Sequence, residues 1–346
     1  MKNNIKFYIR FLSVIFFLHV PLEALIVGSK SAASSQVVVT FPSATVNKIL
    51  GYTALERGFI LTDNLTACTF DGYLPVSGAV TLNGGILYLY KDFVLSNTLS
   101  SITGGIIRGN YHTVELPQIA ADYTLPGIMR FDRTTLVCNS NVSITGALNF
   151  SNVCKIDARG KRLTFNGGSI VVRPNSYLIL ENACLANFGT ARLQCLSNTA
   201  SITLRNCVIS LASDYTFSQG SLLFDLDNII IGTNKFIYSS PVGSTIASGA
   251  MLQLDRSMTL SYAPSRANQN LIFMQDSTSY LYLDGCTVHS TRTGLHLSNG
   301  TLIIDDKVTM SSEAKNTAES FWLDSNLNIV VRAGAVVEIF GSVKYQ

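Results

Sequence analysis

Three short apolar runs, LIFM at 271–274, YLYL at 280–283 and CTVHS at 286–290, are followed by three more in the same order. These are LHL at 295–297, TLII at 301–304 and KVTM at 307–310, and a third set follows, FWL at 321–323, NIVV at 328–331 and VVEIF at 336–340. Each run is too short for a helix and has the length of a strand. Three strands per turn, repeated every twenty-odd residues, predict a parallel β-helix, because each repeat can bury its apolar side only against its neighbours. Further triplets precede these. IVV, YLIL and CLANF begin at 170, LQCL, SITL and CVISL at 193, and LLFDL, NIII and KFIY at 222. AMLQL and MTLSY then occur with a polar stretch, 263–270, in place of a third strand.

The middle strands align with Leu178, Ile202, Leu281 and Leu302 in one column, and Leu180, Leu204, Leu283 and Ile304 two residues on. Both columns are expected to face inward, since side chains alternate along a strand. The chain is thus expected to be all-β, one domain built as a right-handed parallel β-helix with about three strands per coil. About ten coils would make a rod roughly 50 Å long.

Before 170 the register is harder to follow. The runs GFILT, AVTL, ILYLY and FVL read as strands from Gly58 on. Residues 117–134, with Pro117 and Pro126, read as a loop protruding from the coil. Between 37 and 57 a short strand leads into Val46, Ile49, Leu50 and Thr53 at helical spacing, with Ser43 as an N-cap. This stretch is expected to be a helical cap over the open end of the β-helix. The expected organisation is a signal peptide at 1–24, linker and cap at 25–57, and the β-helix at 58–346.

The signal segment has Lys2, Lys6 and Arg10 ahead of an apolar stretch at 11–20, broken by Pro21, with Ala24 as a small residue for cleavage. The stretch is shorter than the roughly 20 apolar residues a membrane span needs. The protein is therefore expected to be exported, to the periplasm, the cell surface or the medium, with no transmembrane anchor in the mature chain. Only 14% of residues are charged and the formal charge is +3, with Lys and Arg scattered. A nucleic-acid partner needs a clustered basic face, so none is expected. The seven cysteines sit largely within apolar runs and match no zinc spacing. They read as small buried hydrophobes rather than a disulfide framework, and no metal or cofactor is assigned.

The repeat geometry and corner residues over most of 58–341 resemble the pectin-lyase-like superfamily of right-handed parallel β-helices, and the passenger domains of bacterial surface proteins. Hydrolases of that superfamily carry Asn-Thr-Asp, Asp-Asp, Gly-His-Gly and Arg-Ile-Lys elements. Only an Asp-Asp pair, Asp305 and Asp306, occurs here. Asp306 aligns with Asn182, Asn206 and Gly285, residue types that tolerate a left-handed backbone. The pair therefore reads as a corner and no catalytic residue is assigned. The superfamily's lyases use calcium-binding acids and an arginine base. Asp225, Asp227 and Asp255 could supply such acids, but no facing arginine can be placed, since Arg256 follows Asp255 at a turn.

One outward surface still draws attention. Aligning LLFDLD at 222–227 with MLQLD at 251–255, IFMQ at 272–275, LHLS at 295–298 and WLD at 322–324 sends Phe224, Leu226, Leu252 and Leu254 inward. Asp225, Gln253, Phe273, His296 and Trp322 then form one outward column, and Asp227, Asp255, Gln275, Ser298 and Asp324 the next. In this alignment Asp227 and Asp255 lie on adjacent coils, about 4.8 Å apart. Such a face could bind a glycan or a cation, or consist of ordinary solvent-facing residues. Outward Tyr88, Tyr90, Tyr177, Tyr280 and Tyr282 allow the same two readings, as platforms for sugar rings or as strand-stabilising neighbours. Three functions follow. The first is an exported non-enzymatic scaffold or adhesin-like protein whose partner is a polysaccharide or another cell-surface component. The second is a polysaccharide lyase or glycoside hydrolase acting at Asp225, Asp227 and Asp255. The third is a structural protein that assembles end to end.

Overall fold

A computed structural model describes residues 24–27, 33–34, 39–42, 46–51, 53–263, 272–291, 295–313 and 321–345. The expected signal peptide, apart from Ala24, and the polar stretch 263–270, apart from Ala263, lie outside the described residues. The fold is an all-β, right-handed-type parallel solenoid of about 13 turns. That is more than the ten expected, and at about 4.8 Å per turn the rod is about 60 Å long.

The chain visits three sheets in rotation. Ala147–Ser151, Val153–Asp157 and Arg162–Phe165 are followed by Ser169–Val172, Tyr177–Glu181 and Cys184–Phe188, each paired in parallel with its predecessor one turn earlier. The first face is a nine-stranded sheet ending at Leu193–Cys195. A six-stranded sheet beginning at Tyr215–Phe217 then takes its place in the rotation. The second face runs from Phe93–Val94 to Ile272–Met274 and is succeeded by Leu295–Leu297, Phe321–Leu323 and Val343–Tyr345. The third face includes ten strands from Tyr123–Leu125 to Asn328–Val331.

Burial alternates along most strands, as in Tyr280–Asp284, where Leu281 and Leu283 are buried between more exposed neighbours. Equivalent inward residues stack from turn to turn. Leu254, Leu283, Ile304 and Val331 are successive partners on the third face, and Leu180, Leu204, Phe224 and Ile246 on the second. Fully burying one such side chain is worth roughly 1.5–3 kcal/mol. Larger gaps are filled by aromatic pairs, with Phe131 and Phe150 stacked at 5.2 Å and Tyr215 and Phe236 at 5.4 Å. All seven cysteines, each among the described residues, are free thiols, and six are buried. Their use as small hydrophobes follows.

The corners are made by residues with positive φ. Asn182 (52°), Asn206 (53°), Gly285 (59°) and Asp306 (54°) all adopt the left-handed backbone expected of them. The asparagines also form a ladder along the rod, Asn206 Nδ2 donating to Asn182 Oδ1 at 3.0 Å and Asn182 Nδ2 to Asp157 Oδ1 at 3.3 Å. At another corner the coils approach so closely that a Cβ on Gly146 would lie 1.7 Å from the Gly127 carbonyl oxygen.

Four expectations are corrected. Val46–Gly51, placed in a helical cap, is a strand paired residue for residue with Ala67–Gly72. Its burial has period two, Asn47 and Ile49 being buried, and Asn47 Nδ2 donates to the Ala67 carbonyl at 3.2 Å. Residues 117–134 do not protrude. They contain the strands Tyr123–Leu125 and Met129–Asp132, paired to the following turn. Leu178 and Ile202 lie on the second face, whereas Leu281 and Leu302 lie on the third. Finally, Leu226 is not inward. It is a corner residue at φ 56° and 51% exposed.

Candidate functional site

The register divides the expected site between two faces. Asp225 ends Ser221–Asp225 on the second face, whose next strands are Ser244–Ile246 and Ile272–Met274. Gln253 lies on Met251–Leu254 of the third face, between Ile229 and Tyr282. Asp227 begins a third-face strand opposite Met251, while the Asp255 amide bonds to the Ile230 carbonyl beyond the other end of that pairing. Four residues of register separate Asp227 from Asp255, roughly 13 Å along the strand direction. They are too far apart to share a proton or one cation.

Asp225 is held in a charge ladder. Arg205 Nη2 lies 2.7 Å from Asp225 Oδ2 and its Nε donates to the same oxygen at 2.9 Å. Arg205 Nη1 lies 3.4 Å from Glu181 Oε2, and Lys155 Nζ lies 2.5 Å from Glu181 Oε1. Glu181, Arg205 and Asp225 are level on three successive coils, so opposite charges face each other along the rod. The hydrogen bond to Asp225 raises the Arg205 guanidinium further above its ordinary value, with the charges of Asp225 and Glu181 adding to it. This arrangement binds strand to strand and leaves Asp225 committed to Arg205.

Asp305 and Asp306 are likewise separated in role. Asp306 Oδ2 lies 3.3 Å from Arg256 Nη1, and Arg256 Nε lies 3.4 Å from Asp284 Oδ1. Asp305 Oδ2 accepts from Tyr282 Oη at 2.7 Å and lies 3.6 Å from Arg332 Nε. The Tyr282 hydrogen bond is the main cause holding the Asp305 carboxyl below its ordinary range. Each acid has a different arginine, and the pair forms a stitched corner.

His296, Trp322 and Asp324 do come together, near the C-terminal end of the second face. His296 is level with Trp322 on the next coil, their rings 5.6 Å apart and edge to face. His296 Nε2 lies 3.0 Å from Asp324 Oδ1. Phe273, on the preceding strand of the rotation, is 40% exposed. Lys344, not foreseen from the sequence, is level with Trp322 on the final strand and places its Nζ 5.0 Å from the indole centroid. The only signal for it was the alternation in VKY at 343–345, too short to mark a strand alone. The patch thus offers an ammonium group, an imidazole, a carboxylate and aromatic carbon within three turns. It can hydrogen-bond and pack against a polar ligand, and its indole has Lys344 over the ring and His296 beside it.

Among the described residues no group of three or more His, Cys, Asp or Glu is placed to hold a metal ion. No helix there is long and apolar enough to cross a membrane. The class defined by these observations is a parallel β-solenoid with stitched outer faces and a mixed aromatic and charged patch around Trp322. Comparison with protein-family models, with curated proteins and with solved structures finds no match.

Proposed function

We propose that this chain is an exported, non-enzymatic β-helix of pectin-lyase-like architecture that serves as a surface scaffold with adhesin-like contacts to glycans. The observation that carries the reading is the Lys155–Glu181–Arg205–Asp225 ladder. A glycosidase centre needs two carboxylates flanking one bond. Here the acid nearest that role is neutralised by an arginine, and Asp227 and Asp255 lie at opposite ends of a pairing. Export rests on the basic and apolar residues at 1–24. The contact surface is the patch of His296, Trp322, Asp324 and Lys344.

The test is a panel of neutral and acidic polysaccharides incubated with the chain and assayed for new reducing ends and unsaturated products. No turnover is expected. Turnover lost in Asp225→Asn would replace this reading with the enzyme. An array of short glycans probed with the chain and with Trp322→Ala examines the patch. Signals present in the first and lost in the second support it, and identical arrays remove it.

End-to-end assembly has one observation in its favour. On the last described turn Ile329, Val331, Ile339 and Val343 are 39–54% exposed, although their partners one turn earlier, Leu302, Ile304, Met310 and Phe321, are buried. Sedimentation velocity over a hundredfold concentration range distinguishes a monomeric rod from a stacking one.

A further inference from the structure

The first face of the rod is broken once. Leu193–Cys195 is the last strand of its nine-stranded sheet, and Tyr215–Phe217, next in the rotation, begins the six-stranded one. The two turns are tied on either side of the break. Thr190 Oγ1 donates to the Asp214 carbonyl at 2.6 Å, and the Ser221 amide donates to the Ala200 carbonyl at 3.2 Å. Between these ties the strands do not pair. The turn carrying Tyr215–Phe217 is the shorter of the two, since Cys184 is level with Val208 and Val208 with Ile229. A side chain spans the distance instead, Tyr215 Oη donating to the Leu193 carbonyl at 2.7 Å. A cavity of about 240 Å³ opens at the break.

The edges that face the break carry unpaired main-chain groups. In a parallel pair a residue turns its N–H and C=O to one neighbouring strand, and the residues before and after it turn theirs to the other side. The Leu196 amide donates to the Val172 carbonyl at 2.9 Å, and the Ile170 amide to the Arg192 carbonyl at 2.8 Å. Arg192, Gln194 and Leu196 therefore face Ser169–Val172, while Leu193 and Cys195 face the break. Across it, the Ser239 amide donates to the Phe217 carbonyl at 2.9 Å. Tyr215 and Phe217 thus face Lys235–Tyr238, and Thr216 faces the break. The Leu193 carbonyl has the Tyr215 hydroxyl. Among the described residues no hydrogen bond reaches the N–H or C=O of Cys195 or of Thr216. Cys195 is only 6% exposed, and buried main-chain groups without a partner are rare.

These groups define what fits. One edge offers a donor and an acceptor at Cys195, the other a donor and an acceptor at Thr216, and both residues line the cavity. The complement is an extended main chain, in which one residue turns its N–H and C=O to one side and the next turns them to the other. Leu196, Ser218 and Gln219 also line the cavity, and no carboxylate, ammonium or guanidinium group does. Burial pushes the Cys195 thiol up to about 12, so it too is neutral. A charged side chain would find no counter-ion there, and the segment that suits the cavity is uncharged. At the lip, Ala191 holds φ at 63° and its carbonyl accepts from Gln194 Nε2 at 2.8 Å. A left-handed alanine is costly, and such strain is found at preformed ligand clamps.

We propose that the break between Leu193–Cys195 and Tyr215–Phe217 is a docking slot for an extended, uncharged peptide segment of a partner protein. The segment pairs with Cys195 on one side and Thr216 on the other, adding one strand and joining the nine-stranded sheet to the six-stranded one. This goes beyond the glycan reading and does not rest on it, since the slot and Trp322 lie on different faces.

The test is an array of immobilised decapeptides of uncharged residues, probed with the full chain beside matched arrays rich in Asp or in Lys. Signals are expected on the uncharged array. The strongest binders are resynthesised and titrated by fluorescence anisotropy, and hydrogen exchange at the Cys195 and Thr216 amides should slow when they are bound. Thr216→Pro removes an N–H that faces the slot and not the ladder, a position where a strand tolerates proline. It should keep the wild-type circular dichroism spectrum and weaken binding roughly tenfold or more. Thr216→Ala, which keeps the main chain, should bind like wild type. A peptide N-methylated at its central residues should lose as much on the unaltered chain, a result that needs no variant to fold. Signals confined to the charged arrays, or none at all, overturn the inference. So do equal binding by the N-methylated peptide and unchanged exchange at both amides. Binding lost in Trp322→Ala and kept in Thr216→Pro places the peptide at the Trp322 patch and removes the slot.

Discussion

Leu283 tests the inward stack most directly. It is 1% exposed and lies between Leu254 on the turn before and Ile304 on the turn after. Leu283→Ala removes the stacked side chain while both neighbouring backbones stay pinned by ladder hydrogen bonds, so the site cannot collapse around the void. The expected loss lies in the upper part of the roughly 2–5 kcal/mol range for such truncations. Tyr282, one residue away, faces outward. Tyr282→Ala forfeits the hydrogen bond to Asp305 and the approach of Arg332 to its ring, 5.6 Å from the centroid. That should cost about 1 kcal/mol. Because each turn touches only its neighbours, unfolding need not be a single step. The comparison is therefore best read by hydrogen exchange at Met251–Leu254 and Thr301–Asp305, alongside urea titration. Leu283→Asp buries a carboxylate against apolar partners, a cost of several kcal/mol against a total stability of about 5–15 kcal/mol, and should abolish soluble expression. Equal losses for Leu283→Ala and Tyr282→Ala, or soluble Leu283→Asp with a normal melting curve, would refute the inward assignment.

Arg205→Met should destabilise by about 1–2 kcal/mol, between the values for exposed and buried ion pairs, because it leaves Asp225 without its cation and Glu181 with Lys155 alone. A double-mutant cycle with Asp225→Asn measures the coupling, and a cycle with none would remove the ladder from the account. Asn182→Ala should cost roughly 1–2 kcal/mol through its left-handed backbone, and Asn182→Gly clearly less; equal melting temperatures would contradict this. Burial pushes the Cys68, Cys138, Cys195 and Cys286 thiols up to about 12 and Cys207 to about 11, from an ordinary 9.0. The folded state thus favours the neutral thiols. Their contribution is complete below pH 9 and is lost as pH rises from 9 towards 12. The melting temperature should fall over that interval, and a flat or rising profile would contradict the burial. At pH 7.5 a thiol reagent should label these cysteines slowly until the chain is denatured.

The class of fold was legible because the inward columns repeat over many turns, and one missed column does not hide the rest. The phase of the rotation was not. Tyr215–Phe217 and Ser244–Ile246 are three-residue strands with two inward side chains each. Two points cannot display a period of two. Omitting the first shifts every later triplet by one face, so Leu178 and Leu281 aligned although they lie on different sheets. Omitting the second places Met251–Leu254 where Ser244–Ile246 belongs, and this alone brought Asp227 and Asp255 together. His296 and Trp322 stayed level because both follow the slip and share its error.

The same geometry explains where recognition is hard to read from such a chain. On a strand face each outward residue has a neighbour one coil away in either direction, and opposite charges there settle into ladders such as Glu181, Arg205 and Asp225. A charge that looks free in one dimension is thereby spent. At a corner the chain bends away and side chains splay outward. Tyr73, Tyr90 and Tyr111 stay in water although the core beside them is packed with phenylalanine, Phe70 and Phe93 being buried with their rings 4.9 Å apart. On the later strands of the second face Trp322 has Lys344 over its ring and His296 at its edge. Strand periodicity identifies the residues whose roles are structural. Residues in the turns fall outside that periodicity, so their roles are read from the structure and not from spacing.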